Sequence, residues 1–172
     1  SGNRLLDSKF TGLLGIDISL IGEPDSFKQP DNLKRMDRVI ERLNQEVGVD
    51  RAFGLSSIVR DLHRSFTGSH TIPEDGPTVG QLLFLTESNR AIIERLVTLD
   101  YSECRVTVSK RDLDGDRTIE LRDQIKKIVT EEFGQTDIRT KVTGIALLSA
   151  TGFQSLIGRL VESLLSALVI IM

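Results

Sequence analysis

The chain has 172 residues, of which 39% are hydrophobic and 27% are charged, a composition typical of a soluble globular domain. Its formal net charge of −3 excludes the overall basic surplus expected of a nucleic-acid-binding domain. Cys104 is the only cysteine, so an internal disulfide and a cysteine-rich zinc site are also excluded.

The first predicted element is a half-buried strand within residues 13–22. Ile16, Ile18 and Leu20 alternate there with polar residues, which is the period of a strand with one buried face. Residues 23–32 then hold two prolines among Asp, Asn and Ser, which predicts a turn.

A helix and a second strand complete this first unit. The helix is indicated by apolar residues at helical spacing: Leu33, Met36, Val39, Ile40, Leu43 and Val47. Asp31 or Asn32 is the predicted N-cap, and Gly48 is the predicted stop. Residues 47–55 read as a short strand, so residues 13–55 are predicted to form a strand–helix–strand unit.

Residues 56–100 are predicted to be a helical insert. Its first helix follows Ser56, and its loop at residues 67–77 is predicted to be a flexible surface excursion. The apolar positions of three successive helices are Ile58, Val59, Leu62 and Phe66, then Val79, Leu82, Leu83 and Leu85, then Ile92, Ile93, Leu96 and Val97.

A second strand–helix–strand unit is predicted at residues 103–148. Its first strand carries Cys104, Val106 and Val108 on one face, and residues 137–148 supply its last strand. The helix between them ends at Gly134 and has these apolar positions: Leu121, Ile125, Ile128, Val129 and Phe133. Two such units on one antiparallel sheet predict an α+β fold of the ferredoxin-like, split βαβ type.

The C-terminal residues predict a helix whose environment changes along its length. From Phe153 the apolar residues keep to one helical face, whereas the residues after Ala167 are apolar all round. The segment Leu160–Met172 has thirteen residues and would be about 20 Å long as a helix. A helix that spans a bilayer needs roughly 20 residues to cross about 30 Å, so this segment is too short. We therefore expect the start of a truncated transmembrane helix, and the alternatives are a core helix of a soluble protein or a dimer-forming tail. The predicted membrane-entry residues are Leu160, Val161, Leu164, Leu165, Leu168, Val169, Ile170, Ile171 and Met172.

These elements predict three segments. Residues 1–12 are a lead-in whose Ser-Gly start is typical of a cleaved tag, residues 13–152 form the α+β domain, and residues 153–172 form the amphipathic helix and the membrane entry.

One acidic segment has the spacing of a calcium loop but lacks two of its required residues. Residues 112–116 place three carboxylates at alternate positions. However, Arg117 and Asp123 stand where an EF-hand needs glycine and glutamate. A turn before a helix N-terminus is the better interpretation, since acidic residues there favour the helix dipole.

The remaining reactive residue types form no recognisable catalytic or metal-binding pattern. His63 and His70 lie seven residues apart without further ligands, and Cys104 falls on an apolar strand face, where a buried and inert thiol is usual. The Thr143–Gly144 pair is best explained as a strand end or a bulge. We therefore expect no catalytic residues, no metal site and no cofactor.

Four stretches, in this order and spacing, resemble one known family. They are FTGLLGIDISLIGEPDSF (10–27), PDNLKRMDRVIERLNQEVGVDRAFGLSSIVRDL (30–62), LVTLDYSECRVTVSKRD (96–112) and VTGIALLSATGFQSLIGRLVESLLSALVIIM (142–172). Together they resemble the extracytoplasmic porter loop of resistance–nodulation–division (RND) permeases, in the hydrophobe/amphiphile and lipid-exporter (MMPL-like) branch. FTG before the first strand and LVESLLSA near the end favour the second of the family's two loops. Glu162 and the loop at residues 67–77 depart from the family pattern.

The resemblance implies a transport function rather than an enzymatic one. The parent would be a proton-driven exporter of the inner membrane, with this part facing the periplasm and passing hydrophobic or amphiphilic molecules such as lipids or drugs. Its partners would be the remainder of the transporter, the membrane and those molecules, with no nucleic acid. The family's proton-carrying acidic residues lie in transmembrane helices, outside this chain.

Two other functions remain open from the sequence. The chain could be a free-standing ferredoxin-like binding module that dimerises through its C-terminal helix. It could also be an enzyme with a dispersed site.

Overall fold

A computed structural model describes residues 15–86, 93–110 and 115–144, with only the backbone described at residues 110, 115 and 116. Four strands and four helices lie within these residues. The strands are β1 (Gly15–Ile21), β2 (Val49–Phe53), β3 (Glu103–Lys110) and β4 (Arg139–Thr143). The helices are α1 (Pro30–Leu43), α2 (Leu55–Thr67), α3 (Gly76–Thr86) and α4 (Gly115–Phe133), and a single 3-10 turn lies at Ser26–Lys28.

The four strands form one antiparallel sheet in the order β2-β3-β1-β4. The fold is therefore mixed, as predicted, with helices and an antiparallel sheet. Ile18 of β1 pairs with Val106 of β3 and with Val142 of β4, so these three residues share one face. On that face Ile16, Ile18 and Leu20 are fully buried, which confirms the alternation read from the sequence.

One hydrophobic core joins this face of the sheet to all four helices. The predicted face of β3 is confirmed, because Cys104, Val106 and Val108 are all fully buried. The buried helical residues of this core include Leu33, Met36, Val39, Ile40 and Leu43 of α1, Val59 of α2, Val79 and Leu82 of α3, and Leu121, Ile125, Val129 and Phe133 of α4. Val47 is the exception among the predicted core positions of the first unit, since it is 92% exposed beyond the end of α1.

The predicted N-cap of α1 is wrong. The helix begins at Pro30 with Gln29 as its N-cap, and no side chain caps it. Asn32 lies inside the first turn, where its side-chain amide donates a 2.9 Å hydrogen bond to the carbonyl of Ser26. Because proline needs no N–H partner at the first helical position, α1 can begin two or three residues earlier than the Asp/Asn signal indicates.

The helix α2 also begins earlier than predicted. Its N-cap is Gly54, so Ser56 lies within the first turn and is fully buried. Phe66 is 66% exposed, which contradicts its assignment to the core face. It lies in the last turn of α2, next to the C-cap residue Gly68, which has a φ of 77°.

The loop before α3 is attached to the core and is not wholly a surface excursion. Ile72 is only 3% exposed within it. Asp75 then caps the first turn of α3 by accepting a 2.8 Å hydrogen bond from the Thr78 N–H. Leu85 was expected on the buried face of α3 but is 48% exposed.

The third helix predicted for the insert is described only at its end, where Ile93 is helical and residues 94–96 form a turn. Ile93, Leu96 and Val97 are buried as expected, but Val97 forms an isolated β-bridge with Cys104. The backbone N–H of Arg105 also donates a 2.7 Å hydrogen bond to the carbonyl of Leu96. This stretch therefore joins the sheet instead of continuing a helix, and Ile92 lies outside the described residues.

At residues 115–144 the structure has a helix followed by a strand, as predicted, but β4 covers only Arg139–Thr143 of the predicted strand at residues 137–148. The helix α4 ends at Phe133, just before Gly134, and β4 follows. The lead-in at residues 1–12 and all nine predicted membrane-entry residues, 160, 161, 164, 165 and 168–172, lie outside the described residues. Within the three described segments, no helix is long and apolar enough to cross a membrane.

Candidate functional site

A cleft of about 340 Å³ opens beside the stretch of chain that leads into β3. This volume lies at the lower end of the range of small-molecule sites, roughly 300–1,000 Å³. Its lining comes from the end of α3 and from the residues before β3: Thr86, Ile93, Glu94, Val97, Thr98, Leu99 and Tyr101.

The lining of the cleft combines apolar walls with a polar rim. Ile93 and Val97 are buried members of the hydrophobic core, whereas Leu99 is 70% exposed. Thr98 and Glu94 add polar groups beside these apolar side chains. Such a lining can hold an aliphatic or aromatic group against the walls while a polar end of the same molecule stays near the solvent.

The carboxylate of Asp100 organises the loop that carries Leu99. Its Oδ1 atom accepts hydrogen bonds from the Thr98 hydroxyl at 2.7 Å, the Ser102 hydroxyl at 2.7 Å and the Ser102 N–H at 3.1 Å. The hydrogen bonds from Ser102 and then Thr98 favour the ionised form and lower the pKa of Asp100. Asp100 is therefore a charged acceptor at neutral pH, and it fixes the turn from Thr98 to Ser102.

Backbone hydrogen bonds attach the same loop to the turn after β1. The N–H groups of Gly22, Asp25 and Phe27 donate to the carbonyls of Ser102, Asp100 and Tyr101 at 2.8, 2.8 and 3.1 Å, respectively. Phe27 is itself fully buried in the core. The wall of the cleft that carries Leu99 is thus connected through Phe27 to the centre of the domain.

Tyr101 has a strained backbone at this point, with a φ of 54°. A positive φ is unusual for a residue with a large side chain, and such strain of about 1–3 kcal/mol persists where surrounding contacts enforce it. Lys28 lies 4.8 Å from the centre of the Tyr101 ring and forms a 2.7 Å ion pair with Asp25. The contacts around Tyr101 therefore hold the loop in one conformation.

The sequence offered no direct signal for this site. Thr98, Leu99 and Asp100 read as an ordinary connection between a helix and a strand. The only available cue was the Asp100–Ser102 spacing, which favours a local turn. The attachment to residues 22–27 depends on contacts between residues about 75 positions apart in the chain.

The residues considered for metal binding are not brought together. His63 Nδ1 lies 2.8 Å from the carbonyl oxygen of Thr71, and His70 Nε2 lies 3.9 Å from an Asp61 carboxylate oxygen. No group of three or more His, Cys, Asp or Glu residues suited to a metal ion occurs among the described residues. Residues 112–114 of the acidic segment lie outside them.

The Thr143–Gly144 pair marks a strand end, as the sequence indicated. The strand β4 finishes at Thr143, and Gly144 follows with a φ of 149°. A Cβ atom at Gly144 would lie 2.5 Å from the carbonyl oxygen of Gly15. The glycine is therefore required by the close approach of two backbones.

Cys104 is expected to be unreactive in the folded protein. The thiol is fully buried, and this burial raises its pKa well above the ordinary value, with Glu103 adding to the effect. Because the thiolate is the reactive form, labelling by a disulfide reagent at pH 8 should be at least about a hundredfold slower in the native chain than in urea. Rapid stoichiometric labelling of a chain with a native circular dichroism spectrum would contradict the buried position.

No family model and no curated protein sequence matches the chain.

Proposed function

We propose that the chain is a porter-type domain of a membrane exporter and binds hydrophobic or amphiphilic molecules in the cleft beside Leu99. The observation that supports this proposal most directly is the cleft itself, with its apolar walls, polar rim and hydrogen-bonded loop. Binding and release, without bond chemistry, is the activity that suits such a site.

The sheet supports the proposed ferredoxin-like, split βαβ plan. In that plan two strand–helix–strand units interleave on one antiparallel sheet. The order β2-β3-β1-β4 places β3 between the two strands of the first unit and β1 between the two strands of the second. In the proposed plan, α1 and α4 would be the crossovers of the two units, and α2 and α3 would belong to the insert.

The proposed parent is a proton-driven RND-type exporter in the inner membrane, with this domain facing the periplasm. The resemblance of the four quoted stretches and the apolar composition of residues 160–172 support this part of the proposal. The remainder of the transporter and its transmembrane helices would then be the domain's partners. Exported lipids or drugs would be its ligands.

The binding proposal is tested with the apolar fluorescent probe N-phenylnaphthylamine. Replacing Leu99 with arginine puts a charge on the apolar wall of the cleft, so the probe should bind at least about tenfold more weakly. The measurement is a fluorescence titration of the 172-residue chain and of the L99R variant. A circular dichroism spectrum checks that the variant keeps its fold.

The matched control is the substitution Phe66→Arg, which adds the same charge at another exposed apolar side chain, on α2. This variant should keep the affinity of the unmodified chain. Equal affinities of the L99R variant and the unmodified chain would show that the cleft is not the site.

A further inference from the structure

The face of the sheet opposite the core is predominantly basic. Because side chains alternate along a strand, the residues between the buried ones point to this outer face. Its charged members are the exposed cations Arg51, Arg105, Arg139 and Lys141, the exposed carboxylate Asp50 at the bulge of β2, and the half-buried carboxylates Asp17 and Glu103. Four cations against three carboxylates leave a local excess of one positive charge, on a chain whose net charge is −3.

The cations of this outer face lack the ion pairs that cations of the helical side have. On α1, Arg38 and Arg42 pair with Glu132 and Glu131 of α4, and Lys34 pairs with Glu74. None of the four outer-face cations forms an ion pair with any residue that the structure describes.

The strand register brings two of these cations to the same serine. Ser19 of β1 is paired with Arg105 of β3 on one side and with Lys141 of β4 on the other. Neighbouring strands are about 4.8 Å apart, so the two cations flank the Ser19 hydroxyl across the middle of the sheet. A guanidinium, an ammonium and a hydroxyl in one row can donate hydrogen bonds to a single carboxylate.

The width of the face suits a protein segment. Three strand intervals of about 4.8 Å separate β2 from β4, which gives about 14 Å. An α-helix with its side chains is about 10–12 Å across and fits this width.

The outer face is less suited to a nucleic acid or a membrane. Phe53 is its only aromatic residue, and Arg51 lies 5.2 Å from the centre of that ring, so the face lacks a platform for successive bases. Asp17 and Glu103 would also repel a continuous row of phosphates. Membrane docking usually requires apolar side chains that insert beside the basic ones, and this face exposes no such large side chain.

We propose that the outer face of the sheet binds an acidic segment of a partner protein, with one carboxylate held by Arg105 and Lys141 above Ser19. This interaction does not use the cleft beside Leu99, so it is independent of the proposed transport function.

The test uses fluorescein-labelled poly-L-glutamate as the probe and fluorescence anisotropy as the readout. The R105Q/K141Q variant of the 172-residue chain should bind the probe at least about tenfold more weakly than the unmodified chain, since charged hydrogen-bond donors are removed. The control R64Q/R95Q variant loses the same charge from exposed arginines outside the sheet face. It should change the affinity by less than about twofold.

Two outcomes would overturn the proposal. An equal loss of affinity in both double variants would mean that poly-L-glutamate responds only to net charge. Tighter binding of a single-stranded oligonucleotide or of phosphatidylserine vesicles than of poly-L-glutamate would assign the face to a different partner. Circular dichroism spectra establish that both variants remain folded.

Discussion

Replacing Phe27 with alanine is expected to lower the free energy of unfolding by about 3–5 kcal/mol, the usual cost of removing a buried phenylalanine ring. Phe27 is fully buried although it lies in a turn between β1 and α1. Its ring belongs to the core, and its N–H donates to the carbonyl of Tyr101 in the cleft loop. The variant should therefore lose both overall stability and the support of the cleft wall.

The measurement is equilibrium unfolding in urea, followed by circular dichroism. Phe66→Ala makes the same chemical change at a side chain that is 66% exposed, and it should cost no more than about 0.5 kcal/mol. If the two variants were destabilised equally, the burial of Phe27 and its role as the link between core and cleft would be wrong. N-phenylnaphthylamine binding by folded F27A adds a second readout, since a loosened wall should weaken it.

Replacing Arg60 with methionine is expected to cost about 3 kcal/mol, because it leaves a buried carboxylate without its cation. Arg60 of α2 donates to both carboxylate oxygens of Asp37 on α1, at 2.9 and 3.1 Å. The Asp37 and Arg60 side chains are only 12% and 15% exposed, and Glu41 contributes a further carboxylate at 3.4 Å. This ion pair joins α1 to α2.

The pH dependence of this loss has a definite sign. Burial raises the pKa of Asp37 above its ordinary value, and the charge of Arg60 opposes that rise. Because its pKa is raised by folding, Asp37 in its protonated form stabilises the folded chain. This stabilisation is fully present below the unfolded pKa and is lost as the pH rises through the folded pKa. Without Arg60 the folded pKa rises further, so the deficit of the R60M variant should shrink as the pH is lowered from 7 towards 4.

Two variants separate the effect of burial from the effect of charge alone. Arg42→Met breaks the partly exposed pair with Glu131 and a longer contact of 3.5 Å with Glu132, which keeps its pair with Arg38, and should cost less than about 1 kcal/mol. The double variant D37L/R60M replaces the pair with apolar side chains and should recover most of the lost stability. A D37L/R60M variant no more stable than R60M would show that the buried carboxylate is not the cause.

The strands and the core could be read from the sequence because they follow local periodicities. The alternation of Ile16, Ile18 and Leu20 located β1, and that of Cys104, Val106 and Val108 located β3. Gly134 correctly marked the end of α4, and a Cβ atom at this position would lie 2.5 Å from the carbonyl oxygen of Thr130. The buried side of each of these elements therefore shows as a pattern over a few neighbouring residues.

The wrong predictions concern residues whose structure depends on contacts with residues outside the local sequence pattern. Asparagine is a favoured N-cap residue, but the side-chain amide of Asn32 donates a hydrogen bond to the carbonyl of Ser26. The helix α1 has already begun at Pro30, before Asn32. Ile72 lies in a segment with every sequence feature of a surface loop, yet it is buried in the core. Val97 continued a helical pattern but pairs with Cys104 at the sheet.

The candidate sites depend still more on long-range geometry. The cleft requires the loop around Asp100 to be attached to residues 22–27, and the basic outer face requires the register that sets Arg105 and Lys141 beside Ser19. Neither arrangement leaves a motif in the sequence, because each combines ordinary residues from separate parts of the chain. The chemistry of these sites emerges only once the strands are paired.

The proposed place of this domain in a membrane exporter is tested most directly in the source cell. An antibody raised against the 172-residue chain should detect a band several-fold larger than 19.1 kDa in the membrane fraction, and that band should resist extraction with alkaline carbonate. Such resistance is the behaviour of a protein held by transmembrane helices. A soluble band near 19 kDa would contradict the exporter account and would favour a free-standing binding module.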